Sequence, residues 1–177
     1  MTVLTIPGNH LTRDAAAHLL DQLKRADQDP EIKSILILAE APMFCSGGDP
    51  DIAPEVFEFQ TWITKPVVCA VQGAALGPGL AIVANAHVSI AAQGTSFGLT
   101  EVRTGGFPIG IEAIANAIGK RRALELALTG RVFGTPEALQ MGLIHEMAPA
   151  FEYDDRAEAT ARHLATLNLA GRLPATW

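Results

Sequence analysis

The sequence predicts an α/β fold built around a buried parallel sheet, and three observations carry this prediction. The apolar runs Ile35–Ala39 and Val67–Val71 lack polar alternation, which is typical of strands covered by helices on both faces. A third strand is predicted at His87–Ala91. Turn and helix signals separate these runs, so that strand, turn and helix recur at a period of roughly 30 residues.

The elements of the first half follow from caps and apolar spacing. Thr12 is a suitable N-cap for a first helix, and Asp29-Pro30 ends that helix. Its apolar residues fall at positions i, i+3, i+4 and i+7, namely Ala16, Leu19, Leu20 and Leu23. The segment Glu55–Thr64 is expected to form one or two helical turns, and Leu80–Ala86 is expected to form a buried helix.

The second half is predicted to be helical. Ile111–Ile118 and Arg121–Leu128 are expected to form helices on either side of a glycine. Thr135-Pro136-Glu137 provides a cap and an early proline for a further helix, which Gly142 ends. A last helix, Asp154–Leu169, begins with acidic residues and carries an alanine-rich apolar stripe.

Composition limits the function classes. A chain of 177 residues with 49% hydrophobic and 18% charged residues is expected to fold around one core. Its net charge of −6 argues against a nucleic acid or anionic membrane partner. Cys45 and Cys69 have no metal-ligand spacing and are predicted to be buried and reduced, and no metal site is expected. The absence of a membrane-length apolar run or a secretory signal predicts a cytoplasmic location.

Two glycine-rich turns, each after a predicted strand, are the strongest functional signal. They are Cys45-Ser46-Gly47-Gly48-Asp49 and the segment from Gly73 to Gly79. Glycine lets the backbone approach a ligand and leaves N–H groups free to stabilise an oxyanion. Each turn taken singly is also consistent with a tight connection between strand and helix.

Five sequence blocks in a fixed order make the chain resemble the crotonase, or enoyl-CoA hydratase/isomerase, superfamily. The resemblance runs from about Ile6 to about Met147. The blocks are Ile6-Pro7-Gly8-Asn9-His10-Leu11-Thr12, Met43-Phe44-Cys45-Ser46-Gly47-Gly48-Asp49, Lys65-Pro66-Val67-Val68-Cys69-Ala70-Val71-Gln72-Gly73 with Gly77-Pro78-Gly79, Phe97-Gly98-Leu99-Thr100-Glu101-Val102, and Ala127-Leu128-Thr129-Gly130 with Ala138-Leu139-Gln140-Met141-Gly142-Leu143-Ile144.

The resemblance implies an architecture and a substrate class. Residues 1–150 would form a right-handed ββα spiral core, and residues 151–177 would form a truncated C-terminal helical region, the chain being short at both ends. The substrate would be a thioester of coenzyme A or of an acyl-carrier protein. Coenzyme A would thus enter with the substrate, with no tightly bound cofactor. Burial of the apolar faces left by the short ends predicts a homo-oligomer, a trimer or hexamer.

The resemblance also assigns an oxyanion hole. Gly48 occupies the position of the first N–H donor, and Ser46 lies where the backbone of the family contacts the adenine of coenzyme A. The second donor position is Pro78, which has no N–H. Three alternatives follow: a single donor suffices, Gly77 or Gly79 substitutes after a local shift, or acyl activation has been lost. Gly79 is the predicted substitute.

The catalytic acids show a second departure. Hydratases of the family use two glutamates, and the first of these positions is Ala81 here, whereas the second is Glu101. A single carboxylate suits proton transfer between two carbons, as in the Δ3,Δ2-enoyl-CoA isomerases. Phe107, with Phe97 and Leu99, is expected to make the surroundings of Glu101 apolar.

Pro78, Ala81 and Phe107 are therefore predicted to contact the substrate along with Ser46. Glu101 has a structural alternative, in which it begins a helix or pairs with Arg103. Glu112 is a weaker candidate base.

Two functions remain open. The first is an acyl-thioester enzyme that performs isomerisation or related enolate chemistry, such as decarboxylation, with Glu101 as proton shuttle. The second is a catalytically reduced binding or structural subunit, favoured by Pro78, Ala81 and the short ends. A serine peptidase is disfavoured because Leu76 and its neighbours offer no hydroxyl. Histidines 10, 18, 87, 145 and 163 form no catalytic motif, and His87 is interpreted as a strand-start residue.

Overall fold

The computed structural model describes residues 1–40, 42–167, 169 and 171–173. The strands are β1 (Thr2–Ile6), β2 (Ile35–Ala39), β3 (Val67–Val71), β4 (Ala74–Leu76), β5 (Val88–Ala92), β6 (Ser96–Gly98), β7 (Val132–Gly134) and β8 (Glu146–Ala148). The helices are α1 (Arg13–Gln28), α2 (Pro78–Asn85), α3 (Ile111–Ile118), α4 (Lys120–Thr129), α5 (Thr135–Met141) and α6 (Tyr153–Thr166). Short 3₁₀ turns occupy Pro54–Phe57, Phe59–Thr61 and Glu101–Thr104.

The strands form two sheets. One has five parallel strands in the order β1-β2-β3-β5-β8, and the other has three strands in the order β4-β6-β7. The strand pair β3 and β4 is followed by α2, and the pair β5 and β6 is followed by helical chain. Each pair places one strand in each sheet, because β4 lies parallel to β6 just as β3 lies parallel to β5. The fold is therefore the α/β spiral of ββα units that the sequence predicts.

Helices cover both faces of the five-stranded sheet, which explains its uninterrupted apolar strands. One face belongs to the main core with α1, α2, α3 and α4. On the other face, Leu36, Val68 and Ile90 pack against Ala157 and Ala161 of α6. Since neighbouring residues of a strand point to opposite faces, both sets must be apolar. The C-terminal helix thus packs directly on the sheet.

Most helices agree with their predictions to within a few residues, but several strands were missed. The predicted helix Asp154–Leu169 ends at Thr166, and residues 168, 170 and 174–177 of the predicted C-terminal region lie outside the described residues. Strands β4, β6, β7 and β8 contain only three residues each. Such short segments have no periodicity of their own, and pairing with distant chain defines them.

Candidate active site

The turn between β4 and α2 is the centre of the candidate site. Gly77 has φ +54°, a left-handed conformation that favours glycine, and its N–H donates to the carbonyl oxygen of Gly98 at 2.9 Å. Pro78 then begins α2, where a missing N–H costs the helix nothing. Residues 77 to 79 therefore form the turn to which we compare the positions of the other two predicted site residues, Gly48 and Glu101.

Glu101 places its carboxylate directly over Gly77. A Cβ built on Gly77 would lie 2.6 Å from Oε1 of Glu101, so a larger residue at position 77 would push the carboxylate aside. Both carboxylate oxygens are buried, and neither has a hydrogen-bond partner in the described part of the chain. Burial raises the pKa of the Glu101 carboxyl, and the nearby N–H of the same residue offsets only part of that rise. A buried carboxyl without a partner is a candidate for proton transfer.

The sequence allows two structural roles for Glu101, beginning a helix and pairing with Arg103, and the structure agrees with only the first. Glu101 does begin the short 3₁₀ turn Glu101–Thr104, as one of them requires. Within the described residues, however, its carboxylate forms no ion pair with Arg103 or with any other side chain. Glu112, the weaker candidate base, is exposed on the first turn of α3.

Gly48 is held by the N-terminal end of α1. It forms a parallel bridge with Leu11, in which the N–H of Asp49 donates to the carbonyl oxygen of Leu11 at 3.0 Å. The carboxylate of Asp49 also accepts the N–H of Arg13 at 2.9 Å and lies 3.2 Å from Nε2 of His10. In a parallel bridge the N–H of the middle residue points away from its partner, so the N–H of Gly48 faces away from Leu11.

Gly48 and Glu101 both pack against the turn that contains Gly77 and Pro78. A Cβ built on Gly48 would lie 2.6 Å from Cγ of Pro78, so the proline ring packs on Gly48. Gly77, the residue before Pro78, packs under Glu101. The fold thus brings together two predicted site residues that lie 53 positions apart in the chain (101 − 48).

Both candidate substitutes for the missing second donor already have neighbours. The N–H of Gly77 donates to Gly98. The N–H of Gly79 lies against the thiol of Cys45, and a Cβ built on Gly79 would lie 2.4 Å from Cβ of that cysteine. Burial raises the pKa of the Cys45 thiol, while backbone N–H groups including that of Gly79 lower it. The Cys45 thiol therefore lies close to the N–H that Gly79 would offer to an oxyanion.

Ala81 fills the position of the missing glutamate and is fully buried. A Cβ built on Gly110 would lie 2.7 Å from Cβ of Ala81 and 2.9 Å from Cβ of Phe57. Neither Gly110 nor Phe57 belongs to a sequence motif, so no local pattern predicts that they pack beside Ala81. Because Ala81 is fully buried and lies close to Gly110, a longer side chain at position 81 would have to displace its neighbours.

We therefore expect that Ala81→Glu does not restore a second catalytic acid. Overpacking should lower the free energy of unfolding by about 1–3 kcal/mol, and burial of the carboxyl should add to this loss. Chemical denaturation measures the change. Ala159→Glu on the exposed side of α6 is the matched control, with an expected change within about 0.5 kcal/mol. Unchanged stability together with faster hydration would show that a second acid fits.

The remaining predicted contact residues lie at the surface. Ser46 is exposed, and its hydroxyl donates to the carbonyl oxygen of Asn9 at 2.8 Å. Phe97 and Leu99 are fully buried, as expected, but the side chain of Phe107 is 57% exposed. The expected contribution of Phe107 to an apolar environment around Glu101 stays a prediction, because more than half of its side chain is exposed.

The structure also bears on what the sequence predicts about the cysteines, metal ligands and membrane-spanning helices. Cys45 and Cys69 are both free and buried, as predicted. Across the described ranges, His, Cys, Asp and Glu form no group of three that could hold a metal ion. The helices of those ranges include none that is long and apolar enough to cross a membrane.

Comparison with known proteins agrees with the fold and the motifs. Residues 53–171 match the family model described as enoyl-CoA hydratase/isomerase. The chain therefore belongs to the enoyl-CoA hydratase/isomerase family, that is, the crotonase superfamily.

Relatives in this family include both hydratases and isomerases. The Mycobacterium bovis protein named "Probable enoyl-CoA hydratase echA8" is 34% identical over 157 residues, which cover 80% of this chain and 61% of that protein. The 1,2-epoxyphenylacetyl-CoA isomerase of Escherichia coli is 28% identical over 179 residues, which cover 89% of this chain and 68% of that enzyme. The chain thus spans less than two thirds of the length of the first relative.

Solved structures support the same assignment. An enoyl-CoA hydratase/isomerase family protein from Silicibacter pomeroyi superposes with a TM-score of 0.85 at 28% identity, covering 95% of this chain and 81% of that chain. The relatives and neighbours define the fold and the family, and the reaction of this chain depends on its own residues.

Proposed function

We propose that the protein isomerises the double bond of an acyl thioester, with Glu101 as the single proton shuttle. The observation that carries this proposal is the buried carboxylate of Glu101, which has no hydrogen-bond partner among the described residues and lies against the turn at Gly77. A raised pKa lies closer to neutral pH, and a carboxyl group whose pKa is near the working pH can both accept and return a proton. The isomerase among the relatives supports the reaction class.

The proposed reaction uses one acid and one oxyanion donor. Glu101 removes a proton from C2 of a 3-enoyl thioester, and the electron pair moves to the thioester oxygen as a dienolate. The N–H of Gly48 donates to that oxygen. The carboxylic acid form of Glu101 then returns the proton to C4, which yields the 2-enoyl thioester and the starting carboxylate.

Hydration is disfavoured by the same geometry. Addition of water across a double bond is better served by two carboxyl groups, one of which activates the water. Ala81 supplies none, and its side chain is fully buried next to Gly110. The substrate is proposed to be a coenzyme A or acyl-carrier-protein thioester, with no other cofactor.

The direct test compares two reactions of the purified protein. We expect calorimetric binding of acetyl-CoA, conversion of a 3-enoyl-CoA to the 2-enoyl-CoA, and hydration of crotonyl-CoA far below a typical turnover of about 10 per second. Hydration near that rate would contradict the single-glutamate proposal. If calorimetry detects binding of acetyl-CoA but no isomerisation occurs, the proposed reaction is contradicted, whereas the proposed class of ligand, an acyl thioester, is supported.

A second candidate function rests on the proline ring. Pro78 packs on Gly48 at the place where an oxyanion donor is proposed, which favours a binding or structural subunit with reduced catalysis. Such a subunit should show neither isomerisation nor hydration. A homo-oligomer, trimer or hexamer, and a cytoplasmic location stay predictions. Exposed apolar side chains such as Phe151 and Leu128 are compatible with subunit contacts.

A further inference from the structure

A second cavity lies at the opposite end of α2 from the candidate active site. Its volume is about 490 Å³, within the range of small-molecule pockets. Its polar lining includes Gln60, Thr61, Asn85, Asn116, His87 and His145. Helix α2 begins beside Glu101 and ends at Asn85, and its eight residues span about 12 Å. The cavity is therefore separate from the proposed reaction site.

Two histidines reach this cavity through the same backbone arrangement on neighbouring strands. The N–H of His87 donates to the carbonyl oxygen of Val67 at 3.0 Å, and Nδ1 of His87 accepts the N–H of Val67 at 3.1 Å. His145 repeats this pattern with Ser89, at 2.8 Å and 3.0 Å. Each imidazole thus takes the place of a strand carbonyl as acceptor.

This arrangement fixes the tautomer of both rings. When Nδ1 accepts a backbone N–H, the proton of the neutral ring is on Nε2, which becomes a donor. Burial lowers the pKa of His87 to about 4 and also lowers the pKa of His145, so both rings are neutral at pH 7. A metal ion would need the Nε2 lone pair, and freeing it would break the bond to the strand.

Asn85 adds a third donor. Its Oδ1 accepts the N–H of Gln60 at 2.8 Å, which leaves its amide NH₂ as the group that remains available. The residues that line the cavity include no Asp, Glu, Lys or Arg. No carboxylate of the lining therefore opposes a negatively charged ligand.

We propose that this cavity binds the oxyanion group of a small molecule, a carboxylate or a phosphate, through Nε2–H of His87, Nε2–H of His145 and the amide of Asn85. These three donors belong to residues that line one cavity, and the hydrogen bonds of the described residues give none of them an acceptor, so they match the oxygens of such a group. Hydrogen bonds to a charged acceptor are stronger than those between neutral groups.

The asparagine substitutions His87→Asn and His145→Asn separate ligand binding from strand support. Asparagine Oδ1 can accept the strand N–H in place of Nδ1, but the donor at Nε2 is lost. The double variant should therefore fold with little loss of stability. His163→Asn, on the exposed side of α6, is the matched control.

The test is an NMR titration of the full chain at pH 7 with acetate and, separately, with inorganic phosphate. Long-range ¹H–¹⁵N spectra should show a proton on Nε2 of His87 and His145 before titration. Both rings should then shift with saturation, at a dissociation constant of about 1–10 mM for the better anion, and the double variant should bind at least about tenfold more weakly.

The preferred anion distinguishes a carboxylate site from a phosphate site. The proposal is overturned by a proton on Nδ1 of either ring, by shifts that do not saturate with either anion, or by unchanged affinity in the double variant. The tautomer measurement needs no variant, so a folding failure of the variants leaves the proposal testable.

Discussion

Glu101→Gln is expected to abolish isomerisation of a 3-enoyl-CoA while binding of acetyl-CoA is retained. The amide matches the carboxylate in shape but cannot accept the proton from C2. Loss of a general acid–base group lowers kcat by about 10²–10⁴-fold. Steady-state kinetics and calorimetry on the same preparation measure the two effects, and KM should change little because the ground-state contacts remain.

The same variant should also change how stability depends on pH. Because burial raises the folded-state pKa of Glu101, the folded chain keeps a proton at pH values where the unfolded chain has lost it. The wild-type free energy of unfolding therefore falls as pH rises from the ordinary glutamate pKa of about 4.3 through the folded-state value. Glu101→Gln removes this fall, so the variant should gain stability relative to wild type toward neutral pH.

Glu112→Gln is the matched control for both measurements, because Glu112 is an exposed helical glutamate. It should leave kcat and the pH dependence of unfolding unchanged. If Glu101→Gln retains wild-type turnover, Glu101 is not the proton shuttle. If only the pH dependence changes, Glu101 is a buried structural acid and the chemistry lies elsewhere.

Pro78→Gly is expected to raise kcat for isomerisation. The substitution provides an N–H at the second donor position and removes the ring that packs on Gly48. One oxyanion donor is worth about 10²–10³-fold in kcat, and we expect a gain near the lower end because the new donor sits on a freer backbone. Pro78→Ala should also raise kcat, since it restores the N–H with less backbone freedom.

Pro78→Gly is also expected to be less stable than the wild type. Replacing proline by glycine at the start of α2 gives the unfolded chain more conformational freedom, and should lower the free energy of unfolding by about 1 kcal/mol. Pro136→Gly, at the start of α5, is the control that loses stability without changing kcat. Equal turnover in wild type and Pro78→Gly would contradict a rate limited by a missing second donor, and would favour the alternative in which the single donor Gly48 suffices.

Local sequence patterns predicted the central strands, most of the helices and the candidate site. The apolar runs Ile35–Ala39 and Val67–Val71 predicted buried parallel strands, because only a sheet covered on both faces needs consecutive apolar residues. Caps, prolines and glycines likewise placed most helices, since these residues act on their own turn of chain. The two glycine turns and Glu101 marked the candidate site.

Contacts between distant segments decided the rest. The packing of Pro78 on Gly48, of Ala81 on Gly110 and of Glu101 over Gly77 depends on three-dimensional proximity rather than on any local pattern. The same holds for the pairing of the three-residue strands.

The histidine pair shows the difference most clearly. His87 and His145 are 58 positions apart (145 − 87) and belong to no motif. Parallel strands place their N-terminal ends side by side, so both rings meet at one cavity. The sequence alone determined that these residues could accept, donate or carry a proton. The tertiary structure decided which of these each ring does, because the strand N–H occupies Nδ1 and leaves Nε2–H for a ligand.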